Sequence, residues 1–176
     1  MNIKQNIIWI DCEFTGLDYQ EDTILEIAVV VTDKELNILK EPLSIAIHHS
    51  DEVLEASNGF VKKTIPNVIK ASRASTISLS QAEELCLNYL SDVTERGVSQ
   101  LAGNTIGSDR HMLYYKMPEL ERWCHYRNID VSSLKECAER WKPELLKKIV
   151  KKETHRALDD ILESIEEMKV YKVLFG

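Results

Sequence analysis

The stretch Ile7–Asp18, "IIWIDCEFTGLD", ends an apolar run with two acids, Asp11 and Glu13. Side chains two positions apart in a β-strand project from the same face, so the two carboxylates are expected to lie side by side. Like charges this close repel, and one carboxyl group would take up a proton unless a cation lay between them. Magnesium or manganese suits such a place, because hard divalent cations bind carboxylate oxygens. The alternative is an exposed strand end with two hydrated acids.

Length, charge and cysteine content exclude several classes of protein. The chain has 176 residues and four cysteines without C-x-x-C spacing. This length suits one domain, which we expect to span residues 1–176. No apolar run approaches the ~20 residues of a membrane span, and the N-terminus has no signal-peptide pattern. We therefore expect no membrane partner, and free thiols in a cytoplasmic protein.

The charge is unevenly distributed along the chain. Residues 1–108 carry 8 Lys and Arg against 16 Asp and Glu (net −8), and residues 109–176 carry 14 against 13 (net +1). No broad basic surface is predicted that could hold a long duplex. A nucleic-acid substrate would therefore be short, or metal ions would supply the positive charge. The run Lys147, Lys148, Lys151 and Lys152 is either a solvated face or a guide for short anionic substrates.

The order of strands and helices predicts an α/β domain. Strands are expected over 6–12, 24–33, 36–49 and 98–104, and a fifth strand in 128–134 runs into a helix. The close spacing of the first three predicts an antiparallel meander, and Pro42 favours an edge position or a break in the third. Helices are expected over 78–97, 107–117 and 154–174, with short helices and loops over 50–76.

Further acids and a histidine occur near predicted helix starts. Asp109 follows the fourth strand, and Asp160 lies five residues after His155 in "THRALDD". Each acid could instead stabilise the first turn of its helix, and the histidine could be a surface or capping residue. Helical spacing alone does not choose between Asp159 and Asp160. Taken together, four carboxylates from three segments suit two metal ions about 4 Å apart, with a histidine as general base.

Longer motifs carry a family resemblance. The segments "WIDCEFTGLD", "AGNTIGSDRHMLYYKMPELERWCHYRNIDVSSLKE", "RWKPE" and "THRALDD" occur in order through nearly the whole chain. They resemble the oligoribonuclease family of DEDDh 3′-to-5′ exonucleases. The resemblance implies a ribonuclease H-like fold, in which helices flank a five-stranded mixed β-sheet. It also implies hydrolysis of RNA fragments of two to five nucleotides to 5′-mononucleotides.

The resemblance also assigns the catalytic and metal-binding residues. Two Mg²⁺ or Mn²⁺ ions would be held by four carboxylates, those of Asp11, Glu13, Asp109 and Asp160. His155 would be the general base, and the His-x4-Asp spacing of the family selects Asp160.

The substrate contacts are implied in the same way. Leu17 would wedge against the bases, although core packing is its alternative role. Tyr126, otherwise a packing residue, would reach the partner's site in a homodimer, and Arg127 and Ser108 would help bind phosphate. The family's base-stacking Trp after the third strand is absent here, and Phe60 lies nearest its place, so the expected partner is short single-stranded RNA stacked on a smaller ring.

Rival functions are considered beside this one. A related DEDDh exonuclease acting on DNA or longer RNA would share the chemistry. "DCEFT" also fits the D-x-D-x-T pattern of phosphatases with an aspartyl nucleophile, but that scheme gives His155 no role. A binding module that has lost catalysis would usually lack an acid, whereas all five positions are present.

Overall fold

The computed structural model describes residues 3–149 and 156–175, and a mixed sheet runs through its centre. Its five strands are β1 (Ile7–Phe14), β2 (Ile24–Thr32), β3 (Leu43–Ala46), β4 (Gln100–Gly103) and β5 (His125–Asp130). The strand order is β3-β2-β1-β4-β5. β1, β2 and β3 form the predicted antiparallel meander, whereas β4 and β5 run parallel to β1.

Helices flank the sheet. They are α1 (Asp51–Ala56), α2 (Gly59–Thr64), α3 (Pro66–Ala74), α4 (Leu79–Ser91), α5 (Gly107–Lys116), α6 (Pro118–Trp123), α7 (Val131–Trp141) and α8 (Ala157–Tyr171). Short 3₁₀ turns cover Ile3–Gln5, Pro143–Lys148 and Lys172–Phe175. Ser78 and Gln81 form a capping box that begins α4, and Pro118 begins α6 after α5 has ended. None of the described helices is both long and apolar enough to cross a membrane.

The alternation along β1 divides the core between the two faces of the sheet. Ile8, Ile10 and Cys12 pack with residues of α4, α5 and α6. Ile7 and Trp9 face the other way and pack with residues of α7 and α8. Period-two alternation continues this second set with Asp11 and Glu13, so both acids face the layer that contains α8.

Two strand predictions need correction. The third strand covers Leu43–Ala46 rather than 36–49, because Leu36 takes a positive φ of 69° in a turn and Pro42 cannot donate to the ladder. Before β3, the described residues of this segment form one isolated β-bridge, between Thr32 and Ile38. The fifth strand begins at His125, three residues earlier than predicted, and lies at the sheet edge, where its side chains are largely exposed.

Candidate active site

Three carboxylates meet at the C-terminal end of β1. Asp11, Glu13 and Asp160 each offer an oxygen, and these oxygens lie within 4.8 Å of one another. α8 crosses the sheet face toward which the two strand acids point, so its first turn brings Asp160 to them. Asp159 is exposed. Of the two acids that spacing left open, the structure therefore brings Asp160 to the strand pair.

Asp109 approaches this cluster from α5 and lies close enough for its charge to raise the pKa of Asp11. It lies in the first turn of α5 and is 6% exposed. Its Oδ1 accepts a hydrogen bond of 2.9 Å from the backbone N–H of Cys12, between the two strand acids. Ile106 is the N-cap residue of α5, and no side chain caps that helix. The Asp109 carboxylate thus binds the strand, and helix capping does not account for its place.

Burial raises the pKa values of Asp11, Glu13 and Asp109, and neighbouring carboxylates add to the rise for Asp11 and Glu13. Burial, followed by the charges of Asp160 and Glu26, raises the pKa of Glu13 from 4.5 to about 8. Burial raises the pKa of Asp109 from 3.8 to about 7. The pKa of Asp11 rises well above its ordinary value through burial and the neighbouring charge of Asp109. This all-oxygen, excess-negative donor set fits a hard divalent cation, which would relieve the repulsion.

The metal-free protein is expected to lose stability as the pH rises. Glu13 and Asp109 have folded-state pKa values of about 8 and about 7 against ordinary values of 4.5 and 3.8. Their protons therefore stabilise the fold fully below about pH 4, and this stabilisation is lost as the pH rises through 7 to 8. In EDTA, calorimetry should show a melting temperature that falls between pH 5 and pH 8. A Glu13→Gln variant should show a shallower fall.

Manganese should reverse this loss. Metal ions and protons compete for the same carboxylates, so Mn²⁺ should raise the melting temperature more at pH 8 than at pH 5. A melting temperature in EDTA that stays level or rises to pH 8, with Glu13→Gln behaving as the wild type, would contradict the raised pKa values.

A buried ion pair that sequence reasoning missed lies beside the cluster. Glu26, opposite Glu13 in the β1–β2 ladder, is 1% exposed and accepts hydrogen bonds of 2.9 and 3.0 Å from the guanidinium of Arg156. The signal was a lone acid within the apolar strand "ILEIAVVV", since a buried carboxylate needs a partner. Arg156 directly follows His155 in the chain, and His155 itself lies outside the described residues.

An apolar cavity adjoins the carboxylates. It has a volume of about 260 Å³ and shares Glu13 with the cluster. Its other lining residues are Phe14, Gly16, Leu17, Phe60, Val61, Thr64 and Ile65. Leu17 is 72% exposed and Phe60 is 74% exposed, so neither side chain belongs to the core. The structure thus brings together two predicted substrate residues from segments more than forty positions apart in the sequence, at one cavity beside Glu13.

The remaining predicted residues divide into two groups. Ser108 is half-buried in the first turn of α5, directly before Asp109. Tyr126 and Arg127 are exposed on β5, and the Arg127 guanidinium lies 5.2 Å from the centre of the Tyr126 ring. Among the predicted residues within the described ranges, that pair is the group that the structure does not bring near the carboxylates of the same chain.

The strand register measures this separation. Ile8 lies beside Leu101 of β4, which in turn lies beside Asn128 of β5. Because these strands run parallel, Tyr126, which precedes Asn128, and Asp11, which follows Ile8, are displaced in opposite directions from these paired residues. At ~3.3 Å per residue and ~4.8 Å between strands, Tyr126 is more than ~10 Å along the sheet and another ~10 Å across it from Asp11. Its ring is therefore remote from its own cluster.

Known proteins resemble this chain over nearly its full length. A protein-family model described as an exonuclease matches residues 8–168. The oligoribonuclease of Pasteurella multocida is 47% identical over 174 residues, which are 98% of this chain and 95% of that protein. The oligoribonuclease of Escherichia coli K12 is 46% identical over 174 residues, or 98% of this chain and 96% of that protein.

Solved structures resemble the fold. The zinc-bound complex of E. coli exonuclease I with single-stranded DNA superposes with a TM-score of 0.76 at 16% identity, over 97% of this chain and 41% of that one. Its complex with a dT13 oligonucleotide gives a TM-score of 0.74 at 18% identity, over 97% and 42% of the two chains. At this level of identity the likeness concerns the fold alone, and it confirms the predicted ribonuclease H-like architecture. With the family match, the carboxylate cluster indicates the use of a divalent metal.

Proposed function

This chain belongs to the exonuclease family and, within it, to the oligoribonucleases, and from that premise we propose that it degrades short single-stranded RNA from the 3′ end. The observation that carries the proposal is the apolar cavity that shares Glu13 with the carboxylate cluster. A cavity of about 260 Å³ suits one planar base and is smaller than the ~300–1,000 Å³ typical of drug-sized ligand sites. A base seated there brings its own phosphate to the carboxylates.

The carboxylates would hold the metal ions in this proposal. Asp11, Glu13, Asp109 and Asp160 would bind two Mg²⁺ or Mn²⁺ ions, an assignment supported by the close oxygens of Asp11, Glu13 and Asp160 and by the raised pKa values of Asp11, Glu13 and Asp109. When bound, such ions activate water and neutralise charge on the phosphate. The hydrogen bond from Cys12 N–H keeps the Asp109 carboxylate against β1, which fixes its place relative to the strand acids.

His155 would serve as the general base. It takes the proton of the attacking water, for which a histidine has a suitable pKa near neutral pH. The water oxygen bonds to phosphorus, and the bond from phosphorus to the 3′ oxygen of the preceding nucleotide breaks. The leaving 3′ oxygen takes a proton from solvent, so the products are a 5′-mononucleotide and an RNA shortened by one residue with a free 3′-hydroxyl. The chain position of His155, directly before the Arg156 that pairs with buried Glu26, supports this role.

The preference for short RNA would come from contacts to bases rather than to many phosphates. Phe60 stacks on the terminal base and Leu17 wedges against it, while Ser108 assists at the phosphate. Base–aromatic stacking contributes about 1–3 kcal/mol per base, which is enough to hold a substrate with few charges. Because the chain carries a net charge of −7, a longer and more highly charged strand gains no overall electrostatic attraction.

The active unit in this proposal is a cytoplasmic homodimer. Tyr126 and Arg127 of one protomer would reach the substrate bound by the other, where they would contact its far end. The distance of Tyr126 from its own carboxylates supports this arrangement, because an exposed ring on an edge strand is available to a second chain.

The test compares substrates of two lengths. A 5′-labelled diribonucleotide and a 20-residue RNA with the same label are incubated with the protein and Mn²⁺. The proposal expects rapid release of mononucleotide from the dimer and slow trimming of the 20-mer. Activity should disappear in EDTA.

A 20-residue DNA separates the rival functions. If the DNA or the long RNA were degraded rapidly and the diribonucleotide were not cleaved, the protein would be an exonuclease that acts on long strands. This result would also contradict the assignment of Leu17 and Tyr126 as end-binding residues.

A further inference from the structure

The carboxylate of Asp22 helps to hold the turn between β1 and β2, together with that of Asp18, which accepts hydrogen bonds from the backbone N–H groups of Gln20 and Glu21. The Oδ1 of Asp22 accepts a hydrogen bond of 2.7 Å from the Thr15 hydroxyl, and its Oδ2 accepts one of 2.9 Å from the backbone N–H of Asp18. A Cβ at Gly16 would lie 2.3 Å from Asp22 Oδ2, so only glycine admits this close approach. Leu17 lies between Gly16 and Asp18, before the turn residues 19–21.

The same hydrogen-bond network extends to Phe60. Leu17 and Phe60 are called the two walls of the cavity below. The carbonyl oxygen of Thr15 accepts a hydrogen bond of 2.8 Å from the backbone N–H of Asn58. Asn58 begins α2, and its side-chain oxygen accepts a hydrogen bond of 2.8 Å from the backbone N–H of Phe60. Asp18, which directly follows Leu17, and Phe60 are therefore the two ends of one chain of hydrogen bonds that passes through Thr15.

Core packing does not fix either wall. Leu17 is 72% exposed and Phe60 is 74% exposed, so few neighbours restrain their side chains. Their spacing depends on the backbones that carry them, and these are held by the hydrogen bonds of Asp22, Thr15 and Asn58. A binding site is effective only when such supports hold its contact residues in place.

We propose that Asp22 is a positioning residue that sets the spacing of Leu17 and Phe60 and thereby the affinity for the terminal base. The inference rests on the proposed function, because it concerns the same base-binding cavity. Asp22 does not line that cavity and acts through the two walls.

A matched control exists in the next turn of the chain. Asp33 closes the turn after β2, where its Oδ1 accepts hydrogen bonds of 2.8 Å from Glu35 N–H and 2.9 Å from Asn37 N–H. It is half-buried, as Asp22 is, but its turn does not contribute to the cavity. Asp22→Ala therefore removes turn hydrogen bonds at the site, and Asp33→Ala removes equivalent turn hydrogen bonds away from it.

Steady-state kinetics on the diribonucleotide with Mn²⁺ tests the proposal. Asp22→Ala should raise KM about tenfold and change kcat less than about twofold, whereas Asp33→Ala should change neither. Asp22→Asn, which keeps one acceptor oxygen, should give an intermediate KM. Melting temperatures should fall by similar amounts in the two alanine variants.

A double-mutant cycle separates positioning from general loosening. In a Leu17→Ala, Phe60→Ala background, Asp22→Ala should raise KM no further, because the walls through which it acts are gone. If Asp22→Ala does not fold, Asp22→Asn serves instead in the same cycle, and its smaller rise in KM should likewise vanish in that background.

Two results would overturn the positioning role while the wild type is active. Asp22→Ala could have the same KM as Asp33→Ala. Alternatively, Asp22→Ala could lower kcat instead of raising KM, and still do so in the Leu17→Ala, Phe60→Ala background. A wild type that does not cleave the diribonucleotide would instead refute the proposed function itself, so the two failures are distinguishable.

Discussion

Replacing Asp160 with asparagine is expected to lower the rate of diribonucleotide cleavage by about a thousandfold or more. An amide supplies no negative charge to a metal ion, and the several kcal/mol that metal ions contribute to such a reaction correspond to factors of this size. The same variant should bind Mn²⁺ more weakly in calorimetric titration. Asp159→Asn is the matched control, because Asp159 is exposed on the same turn of α8, and it should retain near-normal activity.

Asp160→Asn should also make the metal-free protein more stable. The charge of Asp160 contributes to the raised pKa values of Asp11 and Glu13, so its removal relieves repulsion within the folded state. We expect a higher melting temperature in EDTA together with the loss of activity, a combination found where function requires an unfavourable cluster. An active Asp160→Asn variant beside an inactive Asp159→Asn variant would reverse the assignment of the two acids.

Replacing His155 with alanine is the second large effect. The expected loss in kcat is about 10²–10⁴-fold, which is the usual contribution of a general base. Since a base does not hold the metals, Mn²⁺ binding and the KM for the diribonucleotide should stay near the wild-type values. The measurements are single-turnover cleavage and calorimetric titration with Mn²⁺.

His48→Ala provides the control for this substitution. His48 is an exposed histidine after β3 and does not line the cavity. It should retain wild-type kinetics. If His155→Ala lost Mn²⁺ affinity in proportion to its loss of rate, the residue would be part of the metal site and the role of general base would be wrong.

Features with a strong local pattern could be predicted from the sequence. The predicted strands at 24–33 and 6–12 are largely apolar, and the amphipathic pattern of residues 78–97 predicted α4, which ends earlier than expected, at Ser91. The two acids of β1 were predictable as neighbours because the period of a strand is fixed at two. The same rule placed Cys12 on the opposite face, where it packs in the core.

Features that depend on distant contacts could not be predicted in this way. β5 is exposed at the sheet edge and carries no apolar run, so its beginning was not visible in the sequence. The pair Glu26–Arg156 joins residues 130 positions apart. The hydrogen bond between Asn58 N–H and the Thr15 carbonyl joins two loops through backbone atoms, which cannot be read from side-chain chemistry. For the same reason, the role of Asp22 became visible only in three dimensions.

The most direct test is a crystal of the wild-type chain grown with Mn²⁺ and a diribonucleotide with a non-cleavable phosphate linkage, measured at the manganese absorption edge. The account predicts two anomalous peaks about 4 Å apart among Asp11, Glu13, Asp109 and Asp160, with the 3′-terminal base between Leu17 and Phe60. Manganese bound elsewhere, or a base seated away from that cavity, would contradict it.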